Sequence, residues 1–249
     1  MPTELPRRQT QSSHTYRSLI LFCLSVFVVT GLIIGGTFAW RWMQQPTSFP
    51  ISQIEIEGHL AHETPAQLQK IISANISGGF FSLNVSAAKQ ALLSIPWIAD
   101  VSFRRVWPGT LTVKVIEQQV IARFGKTGVL NATGDIFYPD AKSLPQNLPD
   151  LEGPADQSKV LFDFYQSVNT MAHVLSLSVV ALHENDAQSW DLVLSNQVKV
   201  IMGRQDAAAR FQRFVAIYPR IIAVSNKPMV SVDLRYPNGV AVKYAENKA

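Results

Sequence analysis

The feature that most constrains this chain is a run of 21 residues, Leu19–Ala39, without a charged side chain. At about 1.5 Å of rise per residue, a helix of this length crosses a hydrocarbon core of about 30 Å. A cleaved signal peptide is the alternative, with a weak cleavage site at residues 37–39. However, the apolar core exceeds the roughly 7–15 residues typical of a signal peptide, and Trp40 and Trp42 stand where an interfacial aromatic belt is expected. We therefore favour an uncleaved transmembrane helix over residues 19–39.

The charges that flank this run predict its orientation. Arg7, Arg8 and Arg17 precede the run, whereas only Arg41 follows it closely. Because lysine and arginine are retained on the cytoplasmic side of a membrane, we expect residues 1–18 to form a cytoplasmic tail. The roughly 210 residues after the helix would then lie outside the cytoplasm.

The composition narrows the class of the exported part. The formal net charge of the chain is +4, and it falls to about +2 when the three N-terminal arginines and Glu4 are left out. A charge this small and evenly spread does not indicate a nucleic-acid-binding protein. The single cysteine, Cys23, lies within the membrane run, so the exported part has neither a disulfide nor a thiol nucleophile. This composition is typical of a bacterial envelope protein.

Residues 51–117 predict one small domain. Apolar residues alternate over 51–58, and helical stripes begin near Thr64 and Val85. Two strands follow over 97–106 and 110–117, joined by a turn at Trp107-Pro108-Gly109. The predicted order is therefore β-α-α-β-β, which is long enough for a separate core.

From Gln118 onward, short strands and turns alternate with two amphipathic helices. The first helix is predicted over 156–175, with Val160 among its inward residues. The second begins after Asp206, which would cap it, and Pro219 would end or kink it. Ile222 is placed on its inward face and its arginines on the solvent face. The predicted strands cover 120–124, 136–138, 190–194 and 198–202, and the proline-rich stretch 144–154 is predicted to be a surface loop.

The chain closes with a predicted hairpin. Val232 and Leu234 lie on one face of its first strand, Asn238-Gly239 is a strong turn signal, and Val242 and Tyr244 lie on one face of the second strand. A last strand at a sheet edge offers unpaired N–H and C=O groups to which another chain can add a strand. A purely structural role for this strand is the alternative.

The sequence contains no motif that carries catalytic chemistry. Gly125-Lys126-Thr127 is similar to the end of a phosphate loop, but the glycine required five residues earlier is Val120. His59 and His62 lie near three glutamates, yet they fall on a strand end and a loop, and a solvated loop is the favoured interpretation. We therefore predict no catalytic, cofactor-binding or metal-binding residue, and no nucleic-acid partner.

Several motifs together carry a family resemblance. The run 98–111 (IADVSFRRVWPGTL) is followed by a short junction at 116–123, and the C-terminal part contains residues 189–194, 213–219, 232–236 and 239–242 in a fixed order. These segments resemble the FtsQ family of bacterial cell-division proteins, of the proteobacterial type. The resemblance extends over residues 19–245.

The resemblance implies an α+β fold with a single N-terminal transmembrane helix, a small β-α-α-β-β POTRA domain over 49–118, and a β-rich domain with helices and a C-terminal edge hairpin over 119–249. It implies a non-catalytic scaffold of the divisome that links early to late division proteins. The expected location is the cell inner membrane at the division septum, as a single-pass type II protein with periplasmic C-terminal domains. A POTRA-bearing envelope chaperone or transport component is the alternative.

The resemblance also implies partners. The β domain is expected to bind an FtsB–FtsL pair by strand addition at its C-terminal edge, and FtsK, FtsW and FtsI are further expected partners. Arg235 would pair with a partner acid, and Tyr236 would cover a partner aromatic ring. The implied partner-binding residues are Arg235, Tyr236, Asn238, Gly239, Val240, Ala241, Val242, Lys243 and Tyr244.

The chain departs from the family pattern at three positions near this segment. Tyr244 stands where tryptophan is expected, Lys243 where a small residue is expected, and Gln188 where arginine is expected. The mode of binding should be retained, with side-chain pairing adjusted to this organism's own partner.

The first prediction concerns topology. A reporter that works only in the periplasm is expected to be active when fused after Ala249, because the flanking arginines place the N-terminus in the cytoplasm. Activity of a cytoplasm-only reporter at the same position would reverse the orientation. Cleavage after Ala39 in the mature protein would instead rule out the anchor.

Overall fold

The computed structural model describes residues 13–45, 47–225, 227–237 and 239–245, with the backbone alone for 13–20. Arg7, Arg8 and Asn238, which carry part of the sequence argument, lie outside these residues. The chain forms two compact units. Unit 1 comprises residues up to Gly58 with Pro65–Leu92 and Val101–Lys114, and unit 2 comprises His59–Thr64, Leu93–Asp100 and the chain from Val115 onward.

The apolar run lies within one long helix, α1 (Ser13–Gln44). Within its part from Leu21 to Gln44, an 18-residue stretch has a mean hydropathy of 2.2 and is not buried by the rest of the protein. The helix meets the length and composition requirements for crossing a membrane. It continues five residues beyond Ala39, because Trp40–Gln44 contains no helix breaker.

The predicted β-α-α-β-β order is confirmed. Three strands form a sheet in the order β1-β3-β2, in which β1 runs parallel to β3 and Gln53 lies opposite Thr110. The central strand is the most buried, with Leu111 and Val113 fully inaccessible to solvent. The elements are β1 (Gln53–Glu57), α2 (Pro65–Asn75), α3 (Ser86–Leu93), β2 (Ile98–Val106) and β3 (Thr110–Glu117).

A nine-stranded sheet forms the framework of unit 2, in the order β12-β11-β10-β9-β8-β7-β4-β5-β6. Two helices, α4 (Ser158–His173) and α5 (Ala207–Val224), contribute to its hydrophobic core through residues such as Leu161 and Phe211. The strands are β4 (Val120–Phe124), β5 (Gly128–Asn131), β6 (Ile136–Phe137), β7 (Asp150–Glu152), β8 (Val179–Glu184), β9 (Trp190–Leu194), β10 (Lys199–Gly203), β11 (Met229–Asp233) and β12 (Ala241–Tyr244).

The prediction of a surface loop over 144–154 is wrong for residues 150–152 and holds for residues 144–149. Within this stretch β7 pairs in parallel with both β4 and β8, so it is an interior strand of the sheet. Only its middle residue, Leu151, is buried. A strand of three residues flanked by prolines has too little alternation to be recognised. Strands β5 and β8 were not predicted either.

The two helices of unit 2 also differ from the prediction in detail. Val160 and Ile222 are more than half exposed, whereas Ile221 is buried. Helix α5 continues past Pro219 to Val224, since burial of the apolar residue beyond the proline offsets the missing hydrogen bond. Asp206 precedes this helix with a left-handed φ of 52°, and its side chain makes no capping hydrogen bond with any described residue.

Candidate partner-binding edge

The last strand lies at one end of the nine-stranded sheet. Among the described residues, β12 pairs with β11 alone, in an antiparallel arrangement that places Asp233 opposite Ala241 and Val232 opposite Val242. The opposite side of β12 is therefore an open sheet edge. This position agrees with the edge hairpin predicted from the sequence.

A hydrogen bond between β11 and β10 shows which backbone groups of β12 point towards the open edge. The N–H of Leu234 donates to the carbonyl oxygen of Ile201 in β10, at 2.8 Å. Since successive residues of a strand direct their backbone groups to alternate sides, Asp233 must face β12. Its partner Ala241 then faces β11, and the N–H of the next residue, Val242, points towards the open edge.

A second hydrogen bond gives the same assignment independently. The N–H of Ala245 donates to the carbonyl oxygen of Pro228 at 2.8 Å, so Ala245 faces inward. Because the direction alternates along the strand, the backbone groups of Lys243 also point towards β11, whereas those of Tyr244 and Val242 point towards the open edge. The open edge therefore presents the backbone groups of Val242 and Tyr244.

The strands behind this edge are firmly packed. β11 runs parallel to β10, and α5 provides the crossover between them. Val232 and Leu234 are fully buried, as are Phe211 and Phe214 of α5. The core thus holds β11 in place, and β11 in turn fixes the direction of β12.

An arginine of α5 holds the segment that leads into β12. The Arg213 guanidinium donates to the carbonyl oxygens of Pro237 at 2.9 Å and Tyr236 at 3.1 Å. Its Nε is buried and has no hydrogen-bond partner among the described residues. Arg210, one turn earlier, donates to the carbonyl oxygen of Met202 at 2.7 Å. The predicted solvent-face position is therefore wrong for these two arginines and holds for the exposed Arg220.

Arg235 already has a partner within the chain. Its guanidinium donates to both carboxylate oxygens of Asp233, and the shortest contact, from Nη2 to Oδ2, is 2.6 Å. These hydrogen bonds lower the pKa of Asp233 and raise the pKa of Arg235. Because the pKa of Asp233 is depressed in the folded state, the resulting stabilisation is present at neutral pH and lost as the pH falls through that pKa. A partner acid would have to share the guanidinium with Asp233.

The open edge has an apolar depression at one end. Its volume is about 450 Å³, and its walls include Tyr236, Pro237 and Val240. Tyr236 is 54% exposed, which is high for an aromatic side chain. At the other end of β12, Tyr244 is partly buried and donates its hydroxyl to the carbonyl oxygen of Ile221 at 3.3 Å.

The structure brings most of the sequence-predicted segment to one place. Arg235, Tyr236 and the residues 239–244 lie along the β12 edge or immediately before it, whereas Asn238 is outside the described residues. Sequence reasoning missed Arg213 and Asp233, which order this segment. Charged residues beside the apolar face of a helix are common, so the pattern alone contains no signal for this role.

The other candidate residues have ordinary structural surroundings. His62 stacks on Trp97 with ring centroids 3.4 Å apart, and its Nδ1 lies 3.2 Å from Glu117 Oε2. Three successive backbone N–H groups of residues 61–63 donate to the same carboxylate. Gly125 occupies the tight turn between β4 and β5 with a φ of 57°. Within the described parts of the chain, no three His, Cys, Asp or Glu side chains are grouped so as to hold a metal ion.

Comparison with known proteins identifies the family. Residues 49–118 match the model of the FtsQ-type POTRA domain, and residues 120–235 match the C-terminal domain of cell division protein FtsQ/DivIB. A cell division protein FtsQ from Coxiella burnetii is 34% identical over 238 residues, which cover 96% of each chain. The chain belongs to the FtsQ family. Relatives with the same name from Aliivibrio fischeri and Allochromatium vinosum are both 33% identical, over 90% and 87% of this chain and 89% and 86% of their own lengths.

Membership of the FtsQ family gives the chain a role in cell division. The family match and the apolar N-terminal helix together fit a single-pass membrane protein with a POTRA domain. The predicted α+β fold, with the helix first, the POTRA domain next and the β-rich domain last, is confirmed.

The arginine that holds the 236–237 segment generates a prediction. Arg213→Ala removes two charge-assisted hydrogen bonds, so it should lower the free energy of unfolding by about 1–3 kcal/mol. Amide hydrogen exchange should become faster at Ala241, whose N–H pairs with β11, because the entry to β12 is no longer fixed. Arg220→Ala, at an exposed position of the same helix, is the control and should change neither quantity. Unaltered exchange in Arg213→Ala would show that the arginine does not order the segment.

Proposed function

We propose that this chain is a non-catalytic scaffold of the divisome that links early to late division proteins and binds an FtsB–FtsL pair by strand addition at the β12 edge. The partner strand would pair with the outward backbone groups of Val242 and Tyr244. The observation that carries this proposal is the open edge itself, whose direction is fixed by the hydrogen bonds of β11 and by Ala245. Main-chain pairing of this kind supplies affinity with little dependence on side chains.

The side chains beside the edge would add specificity. Tyr236 and the adjacent apolar depression could accommodate an aromatic or aliphatic side chain of the partner. Arg235 carries a largely exposed guanidinium already oriented by Asp233, so it can meet a partner carboxylate with little loss of side-chain entropy. Lys243, also exposed, adds a second positive charge to the surface of the strand.

The surrounding arrangement is part of the same proposal. Residues 1–18 would be cytoplasmic, 19–39 would cross the inner membrane, 49–118 would form the POTRA domain and 119–249 the β domain, both periplasmic, at the division septum. FtsK, FtsW and FtsI are proposed as additional partners. The family match and the apolar helix over Leu21–Gln44 support the membrane span and the order of the domains.

A matched set of variants tests strand addition. Val242→Pro removes an N–H that points to the open edge, so it should weaken capture of the FtsB–FtsL pair about tenfold or more while the circular dichroism spectrum stays near-native. Val242→Thr keeps that N–H and a β-branched shape, and it should bind almost normally. Ala241→Pro instead removes an N–H that pairs with β11, and it should lower the stability of the hairpin itself.

Tyr236→Glu separately tests the apolar depression, because a carboxylate at this position would be desolvated against the apolar surface of the partner. This variant and Val242→Pro should fail to support division, and cells that rely on either should grow as filaments. Normal capture of the partner by both variants in folded form would show that the β12 edge is not the interface.

A further inference from the structure

Unit 1 contains an aromatic cluster directly beyond the apolar helix. Phe49 is at its centre, with ring centroids 5.8 Å from Trp42, 5.3 Å from Phe81 and 5.4 Å from Trp107. Phe80 extends the group, at 5.3 Å from Phe81 and 5.5 Å from Trp107. These five rings, called here the membrane-proximal cluster, come from the end of α1, the segment after it, the loop between α2 and α3, and the β2–β3 turn.

The cluster is unusually exposed for its size. Trp107 is 59% exposed, Trp42 is 52% exposed and Phe81 is 41% exposed, and the adjacent Val106 is also exposed. An apolar surface of several large side chains is costly in water, at about 25 cal/mol per Å² of apolar area. Patches of this kind mark sites of contact with protein or membrane.

Hydrogen bonds fix the cluster to the end of the apolar helix. The Ser82 hydroxyl donates to the carbonyl oxygen of Gln44, the last residue of α1, at 2.8 Å. The N–H of Phe80 donates to the carbonyl oxygen of Phe49 at 2.7 Å. Arg105 Nη1 donates to the carbonyl oxygens of Phe80 and Phe81, at 3.0 and 3.3 Å. The exposed rings are therefore held close to the point where α1 ends.

The position of the cluster identifies what covers it. Trp40 and Trp42 stand at the end of an apolar helix long enough to span a bilayer, which is where tryptophan prefers the lipid headgroup layer. The ring of Trp42 contacts Phe49, so the cluster continues this aromatic belt into the folded unit. Arg41 and Arg105 place exposed guanidinium groups next to it, which can pair with the phosphate groups of lipid headgroups.

We propose that the membrane-proximal cluster inserts into the phospholipid headgroup layer of the bilayer that α1 crosses, and that it seats the β1–β3 sheet on the membrane surface. The proposal rests on α1 spanning a membrane, and it does not depend on the partner proposed for the β12 edge. Aromatic rings suit this layer because one part of each ring system is apolar and the tryptophan N–H can reach water or headgroups. This contact with the headgroup layer would restrict the orientation of unit 1 relative to the membrane.

Fluorescence quenching in nanodiscs that contain phosphatidylethanolamine and phosphatidylglycerol tests insertion of the membrane-proximal cluster in the full chain. In a Cys23→Ser background, an environment-sensitive label is attached to Phe81→Cys or to Lys114→Cys. Lys114 is exposed on β3, about 13 Å along the strand from Thr110. A headgroup-attached nitroxide lipid should quench the label at position 81 strongly and the label at position 114 weakly. Equal quenching at the two positions would overturn the proposal.

Two further samples distinguish insertion of the membrane-proximal cluster from two other cases, which are tethering by α1 alone and failure of α1 to span the membrane. Trp107→Ser removes an exposed ring, so it should reduce quenching at position 81 towards the level at position 114, while the emission of the label at 114 stays unchanged. Undiminished quenching at 81 would show that α1 alone brings this loop to the membrane and would overturn the proposal.

A label on the native Cys23 tests whether α1 spans the membrane, and it should be quenched by a nitroxide deep in the acyl chains. Absence of that quenching would contradict the transmembrane helix and with it the insertion of the cluster.

Discussion

The pairing of β11 with a strand on each side is the interaction on which the candidate edge depends. On one side the N–H of Leu234 donates to Ile201 of β10, and on the other side β12 pairs from Ala241 to Tyr244. Val232 of β11 is fully buried in the core. Because β11 cannot turn without exposing this core, the hydrogen-bonding direction of β12 is determined before any partner arrives, and little ordering has to accompany binding.

An open edge is a risk as well as a binding surface, since any extended chain can pair with it. This edge is short, with four residues in β12, and it carries Lys243 on its surface. The opposite end of the sheet is shorter still, with two residues in β6. Short, charged edges disfavour pairing between identical chains, so the proposed selective binding would draw on neighbouring side chains such as Tyr236 and Arg235.

Much of this arrangement could be predicted from the sequence, and the exceptions have physical causes. Alternating apolar residues and an Asn-Gly turn were sufficient to predict the final hairpin. The direction of the Val242 N–H could not be predicted, because it depends on register with β11. The role of Arg213 was missed because its hydrogen bonds join residues 23 and 24 positions apart. β7 was missed because pairing with two distant strands, rather than local pattern, makes residues 150–152 extended.

Amide hydrogen exchange along β12 tests the central claim most directly. In the free protein, Ala241 and Lys243 should be protected by β11, whereas Val242 and Tyr244 should exchange faster because their N–H groups face the open edge. Addition of the FtsB–FtsL pair should slow exchange at Val242 and Tyr244 specifically. Formation of the complex without protection of these two amides would contradict strand addition at this edge.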